Sequence, residues 1–221
     1  GSWNFAATAY LNQWKVKIYY EHYFDDHSQM FFQYGRWKDG HIGLEITFPK
    51  NRFIDTFVYE GLGTKDQTGP MLYDSFWGEF EEQISAKDNY YNHYLYQGWQ
   101  HWGMGIGNPL LPGPIYNKNG QITFISNRVL AHHIGFCGSP CQSLSYRMLL
   151  SYSRHWGTYD NPLNEIKKQF NSLFEVTYAP QQLKGWSFTV SGAMDRGSIL
   201  VNNYGGMLVI RKQGIIKSGN K

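Results

Sequence analysis

The chain has 221 residues and a net charge of +3 that decides nothing by itself, and its basic residues are scattered rather than clustered, which argues against a nucleic-acid footprint. No run of about 18 apolar residues occurs, so a membrane-spanning helix is excluded as well. Aromatics make up 18% of the residues, with 17 Tyr, 14 Phe and 8 Trp, yet mean hydropathy is only −0.50; aromatic girdles around a barrel with a polar lumen reconcile the two.

Period-two alternation of apolar and polar residues predicts strands along most of the chain. The first covers Trp3 to Leu11, with Trp3, Phe5, Ala7 and Ala9 on one face and Asn4, Ala6 and Thr8 on the other, and Asn12 and Gln13 form a tight turn. In the second, Trp14 to Phe24, Trp14, Val16, Ile18 and Tyr20 oppose Lys15, Lys17, Tyr19 and Glu21. A loop of turn formers, Asp25 to Gly40, precedes the third, His41 to Phe48, which points Ile42, Leu44, Ile46 and Phe48 outward and His41, Gly43, Glu45 and Thr47 inward. Residues 49–52 turn the chain into a fourth strand, Phe53 to Leu62, and a long segment follows, Gly63 to Ile125.

Five more strands are predicted at Ser126 to Phe136, Ser143 to Trp156, Asn171 to Tyr178, Trp186 to Asp195 and Tyr204 to Lys212. The alternation is clearest in the sixth, where Leu144, Tyr146, Met148, Leu150 and Tyr152 oppose Ser145, Arg147, Ser151, Ser153 and His155. Short turns at 12–13, 49–52, 137–142 and 179–185 alternate with mostly longer connections at 25–40, 63–125, 157–170 and 196–203. That alternation predicts an all-β chain: an antiparallel transmembrane β-barrel with periplasmic turns and extracellular loops. A soluble sandwich or jelly roll is the alternative, but its outward face should be rich in Lys, Glu, Thr and Gln. Here the polar faces are thin, as with Ser187, Thr189, Ser191 and Asp195.

Nine antiparallel strands begin and end in the same direction, so they cannot close on themselves antiparallel. A hairpin hidden in the long segment would add two strands and leave the parity unchanged. The chain, residues 1–221, is therefore expected to be one partial domain, the C-terminal part of a larger barrel. A barrel would have to be exported, and no signal peptide opens the chain, which fits a fragment.

Residues 88 to 117 interleave Tyr, Trp, His, Asn and Gln with glycine, as a carbohydrate-binding surface does: flat rings stack on sugar C–H faces while amides and imidazoles bond hydroxyls. Tyr90, Tyr91, His93, Trp99, Gln100, His101, Trp102 and Asn108 are the candidate contacts, with Trp99 and Trp102 the foremost stacking platforms. The same rings could instead belong to an interfacial girdle or pack the loop against the barrel wall. Gly103, Gly105 and Gly107 lack the strand-turn-helix setting of a nucleotide fingerprint and read as a flexible or tightly turned loop.

Asp88-Asn89-Tyr90-Tyr91-Asn92-His93, Gly98-Trp99-Gln100 and Gly105-Ile106-Gly107-Asn108-Pro109-Leu110 resemble the Wzi-type capsule assembly proteins of Gram-negative outer membranes. Ser126-Asn127-Arg128-Val129, Ala131-His132-His133, Trp156 to Pro162, Lys184-Gly185-Trp186 and Met194 to Gly197 extend the likeness over most of the chain. The resemblance implies a lectin-like outer-membrane barrel of about eighteen strands that binds capsular polysaccharide and helps to assemble or anchor the capsule. Its partners would be surface polysaccharide and outer-membrane lipid. Set against that family pattern, residues 1–221 are expected to correspond to the C-terminal half, without the N-terminal strands and the periplasmic helical part. A porin or transporter-like channel is the other function that the pattern allows.

Catalysis is not expected. Glu79, Glu81, Glu82 and Asp88 read as a solvated loop or short helix, and no nucleophile and base occur at a recognisable spacing. No metal or cofactor is expected either. His132 and His133 are strand neighbours that face opposite sides, one luminal and one outward, and zinc at Cys137 and Cys141 would need two further ligands. Those cysteines are either a small disulfide or free thiols. Inward Lys15, Lys17, Glu21, Glu45, Arg147 and Glu175 are expected to brace a filled lumen, and exposed Arg36, Lys38, Arg128 and Arg154 to attract an acidic polymer.

Overall fold

The computed structural model describes residues 1–23, 39–50, 53–65, 67, 71–72, 84–85, 89–93, 95–200 and 202–214. Its strands are β1 (Ser2–Leu11), β2 (Trp14–Tyr23), β3 (Gly40–Thr47), β4 (Thr56–Gly63), four two-residue strands β5 (Met71–Leu72), β6 (Ile84–Ser85), β7 (Gln100–His101) and β8 (Met104–Gly105), then β9 (Val129–Cys141), β10 (Leu144–Gly157), β11 (Pro162–Tyr178), β12 (Trp186–Gly197) and β13 (Asn203–Lys212). One 3-10 turn, Pro114–Tyr116, lies between β8 and β9.

The nine long strands form one antiparallel meander, β1-β2-β3-β4-β9-β10-β11-β12-β13, while β5 pairs with β6 and β7 with β8. The sheet is open: β1 and β13 are its edges and run in the same direction. The predicted nine-strand count and the antiparallel order therefore hold. Several boundaries do not. The eleventh strand begins at Pro162, not Asn171, and most of the expected loop 157–170 is ladder, with Ser153 opposite Gln169 and His155 opposite Lys167. The Glu165-Ile166-Lys167-Lys168 stretch reads as loop because its charges interrupt the apolar alternation, but pairing with the long β10 carries it into the sheet.

The expected turn at 137–142 is also mostly strand, with only Gln142 and Ser143 turning. Gly138 makes this possible: a Cβ there would collide with the Phe53 carbonyl, which accepts a hydrogen bond from the Tyr146 hydroxyl at 2.7 Å. Cys137 and Cys141 are free thiols on that strand. Ser126 to Arg128, expected to open the fifth predicted strand, precede the corresponding β9 instead. The short connections are now 12–13, 48–55, 142–143 and 179–185, and those at the opposite end are 24–39, 64–128, 158–161 and 198–202. The contrast in length is carried by the first half of the sheet alone.

Register sorts the side chains into two faces. On one, Lys15 pairs with Glu45 at 3.2 Å, Arg147 with Glu175 at 3.3 Å and His41 with Glu60 at 3.6 Å, so four of the six residues expected to brace that face are paired, while Lys17 and Glu21 are in none of these ion pairs. Asn171 Nδ2 donates to Asp195 Oδ1 at 2.6 Å, Thr177 and Thr189 share a bond of 2.8 Å, and His133 Nδ1 lies 2.7 Å from the Ser151 hydroxyl. The long connection packs on this face, so we call it the inner one. The outer face is apolar, and its cross-strand row runs Val16, Ile46, Phe57, Phe136, Met148 and Phe174. His132 lies on that side, bonded through Nδ1 to the Tyr59 hydroxyl at 2.8 Å, so the two neighbouring histidines do face opposite ways.

Burial is inverted relative to a soluble domain. His22, Ser153, His155, Gln169 and Asn127 are buried, whereas Phe5, Ile18, Ile42, Phe174, Val190, Leu208 and Ile210 are exposed. The buried apolar cluster is small: Leu62, Val129 and Ala131 from the inner face hold Leu111 of the long connection.

Candidate functional site

The connection between β4 and β9 is fastened to the inner face by its own amides and hydroxyls. Thr64 Oγ1 donates to the Asn127 carbonyl at 2.7 Å and accepts from Val129 N at 3.0 Å. Asn127 Nδ2 reaches back to Asn89 Oδ1 at 2.6 Å and the Tyr90 carbonyl at 2.7 Å. Asn92 and Phe124 exchange two bonds, Asn92 Nδ2 to the Phe124 carbonyl at 2.9 Å and Phe124 N to Asn92 Oδ1 at 2.8 Å. The start and end of the segment are thereby clamped together over the sheet.

Tyr91 is the pivot. Its backbone sits in the left-handed region at φ 68°, its carbonyl accepts from Trp99 N at 2.9 Å, and its hydroxyl accepts from Asn108 N at 3.0 Å. Its ring meets Phe124 edge-on at 5.1 Å. A side chain at Gly107 would reach within 2.8 Å of the Tyr91 hydroxyl, so glycine there permits the close approach.

Between this loop and the ends of β2, β3 and β4 lies a cavity of about 710 Å³. Of the candidate contacts, Tyr90, Tyr91, His93, Trp99 and Asn108 line it. Trp99 is 58% exposed, and its peptide N–H and carbonyl are tied to Tyr91 and Ile106. His93 stacks on Tyr96 at 4.3 Å and accepts from Leu95 N at 3.0 Å.

Gln100, His101 and Trp102 are not among the lining residues. They belong to the β7–β8 hairpin, where Gln100 Oε1 accepts from Gly103 N at 2.7 Å and so closes the turn. Trp102 and Gly103 both have positive φ, 52° and 79°, the pattern of a two-residue type I′ hairpin turn. Trp102 stands 85% exposed at that tip, edge-on to His101. A bulky residue in this conformation carries strain that a purely structural turn would shed through Asn or Gly.

Glu21, Tyr23 and His41 also line the cavity, together with Asn89, Asn92 and Tyr96. Glu21 and His41 stand on the inward faces that parity predicts for β2 and β3, and Tyr23 follows when that parity is extended to the end of β2. Glu21 is the single carboxylate among the described lining residues, and no Lys or Arg is among them. Aromatic faces with surrounding amides suit a hydroxyl-rich ligand.

A second cavity of about 220 Å³ lies on the inner face between Pro109, Leu110 and Pro112 and the strands carrying Ser153, His155, Gln169 and Asn171. The loop thus leaves a space on each side of the Leu110–Leu111 pair. Among the described residues no cluster of His, Cys, Asp and Glu could hold a metal ion.

The other candidates are dispersed. Arg128 and Arg154 are on the outer face, over Tyr159 at 3.9 Å and Trp156 at 5.4 Å, so neither serves the cavity. Arg36, Lys38, Glu79, Glu81, Glu82 and Asp88 lie outside the described residues. The chain matches no family model, no curated protein and no solved structure.

Proposed function

We propose that the chain forms the wall of an outer-membrane β-barrel whose loop-side cavity binds surface polysaccharide, helping to assemble or anchor a capsule. The observation that carries this reading is the cavity of about 710 Å³, where Tyr90, Tyr91, Tyr96 and Trp99 face Asn89, Asn92 and Asn108. Such a space is the size of a small-molecule pocket and offers rings for sugar faces beside amides for hydroxyls. The likeness of these same residues to Wzi-type capsule assembly proteins points the same way.

The membrane placement rests on the inverted burial. An outer face of exposed Ile, Leu, Val and Phe, with all three ion pairs of the described residues on the inner face, is what lipid outside and a polar lumen require. Trp14, Phe48, Tyr178 and Trp186 end that face on the short-turn side, and Tyr152 and Trp156 on the other, as interfacial girdles do. An antiparallel barrel closes only if an odd number of further strands joins β1 to β13. A second copy in the same membrane orientation would set β13 parallel to β1 and does not serve.

Leu110, Leu111 and Pro112 seated against the inner face favour retention of polymer over solute passage. Pull-down of capsular polysaccharide by the outer-membrane protein, beside a liposome-swelling assay, tests the proposal. Retention without swelling is expected. Swelling with no glycan retained would replace the reading with that of a channel.

A further inference from the structure

Five cations gather on the outer face at the loop-side end of the sheet. Lys65 follows β4 and Arg128 precedes β9, while Arg154, Lys168 and Arg196 lie on β10, β11 and β12. Arg154 and Lys168 are direct cross-strand partners. Arg196 is opposite Phe170, one pair further along the same face than Lys168. Directly opposed like charges destabilise a sheet unless something between them is negative. Among the described residues none of the five has a carboxylate partner, since every ion pair there lies on the inner face.

Two aromatic rings organise the cluster. Trp156 lies between Lys65, whose Nζ is 5.0 Å from the ring centre, and Arg154 at 5.4 Å. Arg128 covers Tyr159 at 3.9 Å while its Nε donates to the Lys65 carbonyl at 3.0 Å. The rings fix the direction of three cations and accept none of their hydrogen bonds, leaving most guanidinium and ammonium donors without a hydrogen bond among the described residues.

Depth decides what those donors meet. Along the outer side of β10 the order is Met148, Leu150, Tyr152, Arg154, Trp156, from apolar through aromatic to cationic. On a membrane-spanning sheet that places the cluster just beyond the hydrocarbon, at headgroup level. We propose that these residues bind the phosphate of an anionic lipid headgroup at the loop-side surface of the membrane. The proposal rests on the membrane reading above and is independent of the polysaccharide cavity, which opens on the other face.

The test reconstitutes the complete barrel, this chain together with the strands that close it, in phosphatidylcholine bilayers doped with phosphatidic acid and reads retained lipid by native mass spectrometry. Preferential retention of phosphatidic acid is expected, and Lys168→Gln and Arg154→Gln should each lower that preference about fivefold. Lys168 is exposed, so its substitution leaves the fold intact even where Arg154→Gln does not. Lys212→Gln is the positional control, because Lys212 covers Trp186 at 5.4 Å at the opposite end and its loss should leave the preference unchanged. Equal retention of the two lipids, or an equal loss with Lys212→Gln, overturns the site. Displacement of the lipid by excess inorganic phosphate would make it a free-phosphate site and overturn the lipid assignment. Failure of that complete barrel to enter bilayers would sink the membrane reading, whereas entry without preference sinks this proposal alone.

Discussion

Asn92 holds Phe124 through both sides of one amide, donating from Nδ2 to its carbonyl at 2.9 Å and accepting at Oδ1 from its N–H at 2.8 Å. The pair joins the two ends of the cavity-lining segment, and the same Nδ2 also reaches Asn89 Oδ1 at 3.0 Å. Asn92→Ala removes both bonds to Phe124 and should cost about 2 kcal/mol locally. Hydrogen exchange at the Phe124 and Trp99 amides should accelerate while that of β10 and β11 stays slow. Unchanged exchange at Phe124 would show that the clamp is dispensable.

The strand faces were legible in the sequence because a pleat enforces strict alternation: Lys15 with Glu45 and Arg147 with Glu175 follow from parity once neighbours pair. The N-terminal half of β11 was not, since Glu165, Lys167 and Lys168 carry charge on both faces and only the length of β10 recruits them. Within the candidate site, composition singled out the segment that lines the cavity but could not separate roles. Asn89 and Asn92 serve as fasteners as well as lining, and Gln100 closes a turn. Glu21 and His41 come from strands far away in sequence, so no local pattern joins them to Trp99.

Trp99 and Trp102, alike in sequence, should separate in experiment. Trp99→Ala removes a ring from the cavity and should weaken polysaccharide retention by about 0.5–1.5 kcal/mol, a factor of roughly two to ten. Trp102→Gly relieves a left-handed tryptophan and should stabilise the hairpin by about 1 kcal/mol. Glycan pull-down beside thermal unfolding distinguishes them. Loss of retention with Trp102→Gly alone would move the binding surface from the cavity to the hairpin tip.

Tyr19 crosses Gly43 to donate its hydroxyl to Glu60, linking β2 to β4 over the intervening β3. Any Cβ on Gly43 would sit inside the Tyr19 ring. Gly43→Val should therefore displace the ring and cost about 1–3 kcal/mol. Tyr19→Phe, which keeps the ring and loses one bond, should cost about 1 kcal/mol. Denaturant unfolding in detergent would check the ranking, and equal effects would mean that the bond, rather than the ring's place over β3, governs stability here.

Leu149 and Leu150 are chain neighbours with opposite fates if lipid bathes the outer face. Leu150 lies between Ile134 and Ser172 on the outer row, and Leu149 lies between Gly135 and Leu173 on the inner one, close to Arg147 and Ser151. An arginine at mid-depth on the lipid side costs about 2–4 kcal/mol, while a lumen position meets polar neighbours. Leu150→Arg should abolish or strongly slow insertion into bilayers, and Leu149→Arg should insert nearly as the parent does. In a soluble sandwich the outer face would be solvated, so the parent would not insert and Leu150→Arg would be the change that leaves the fold intact. Bilayer-insertion yields for the two variants, measured side by side, therefore decide which face of the sheet meets lipid.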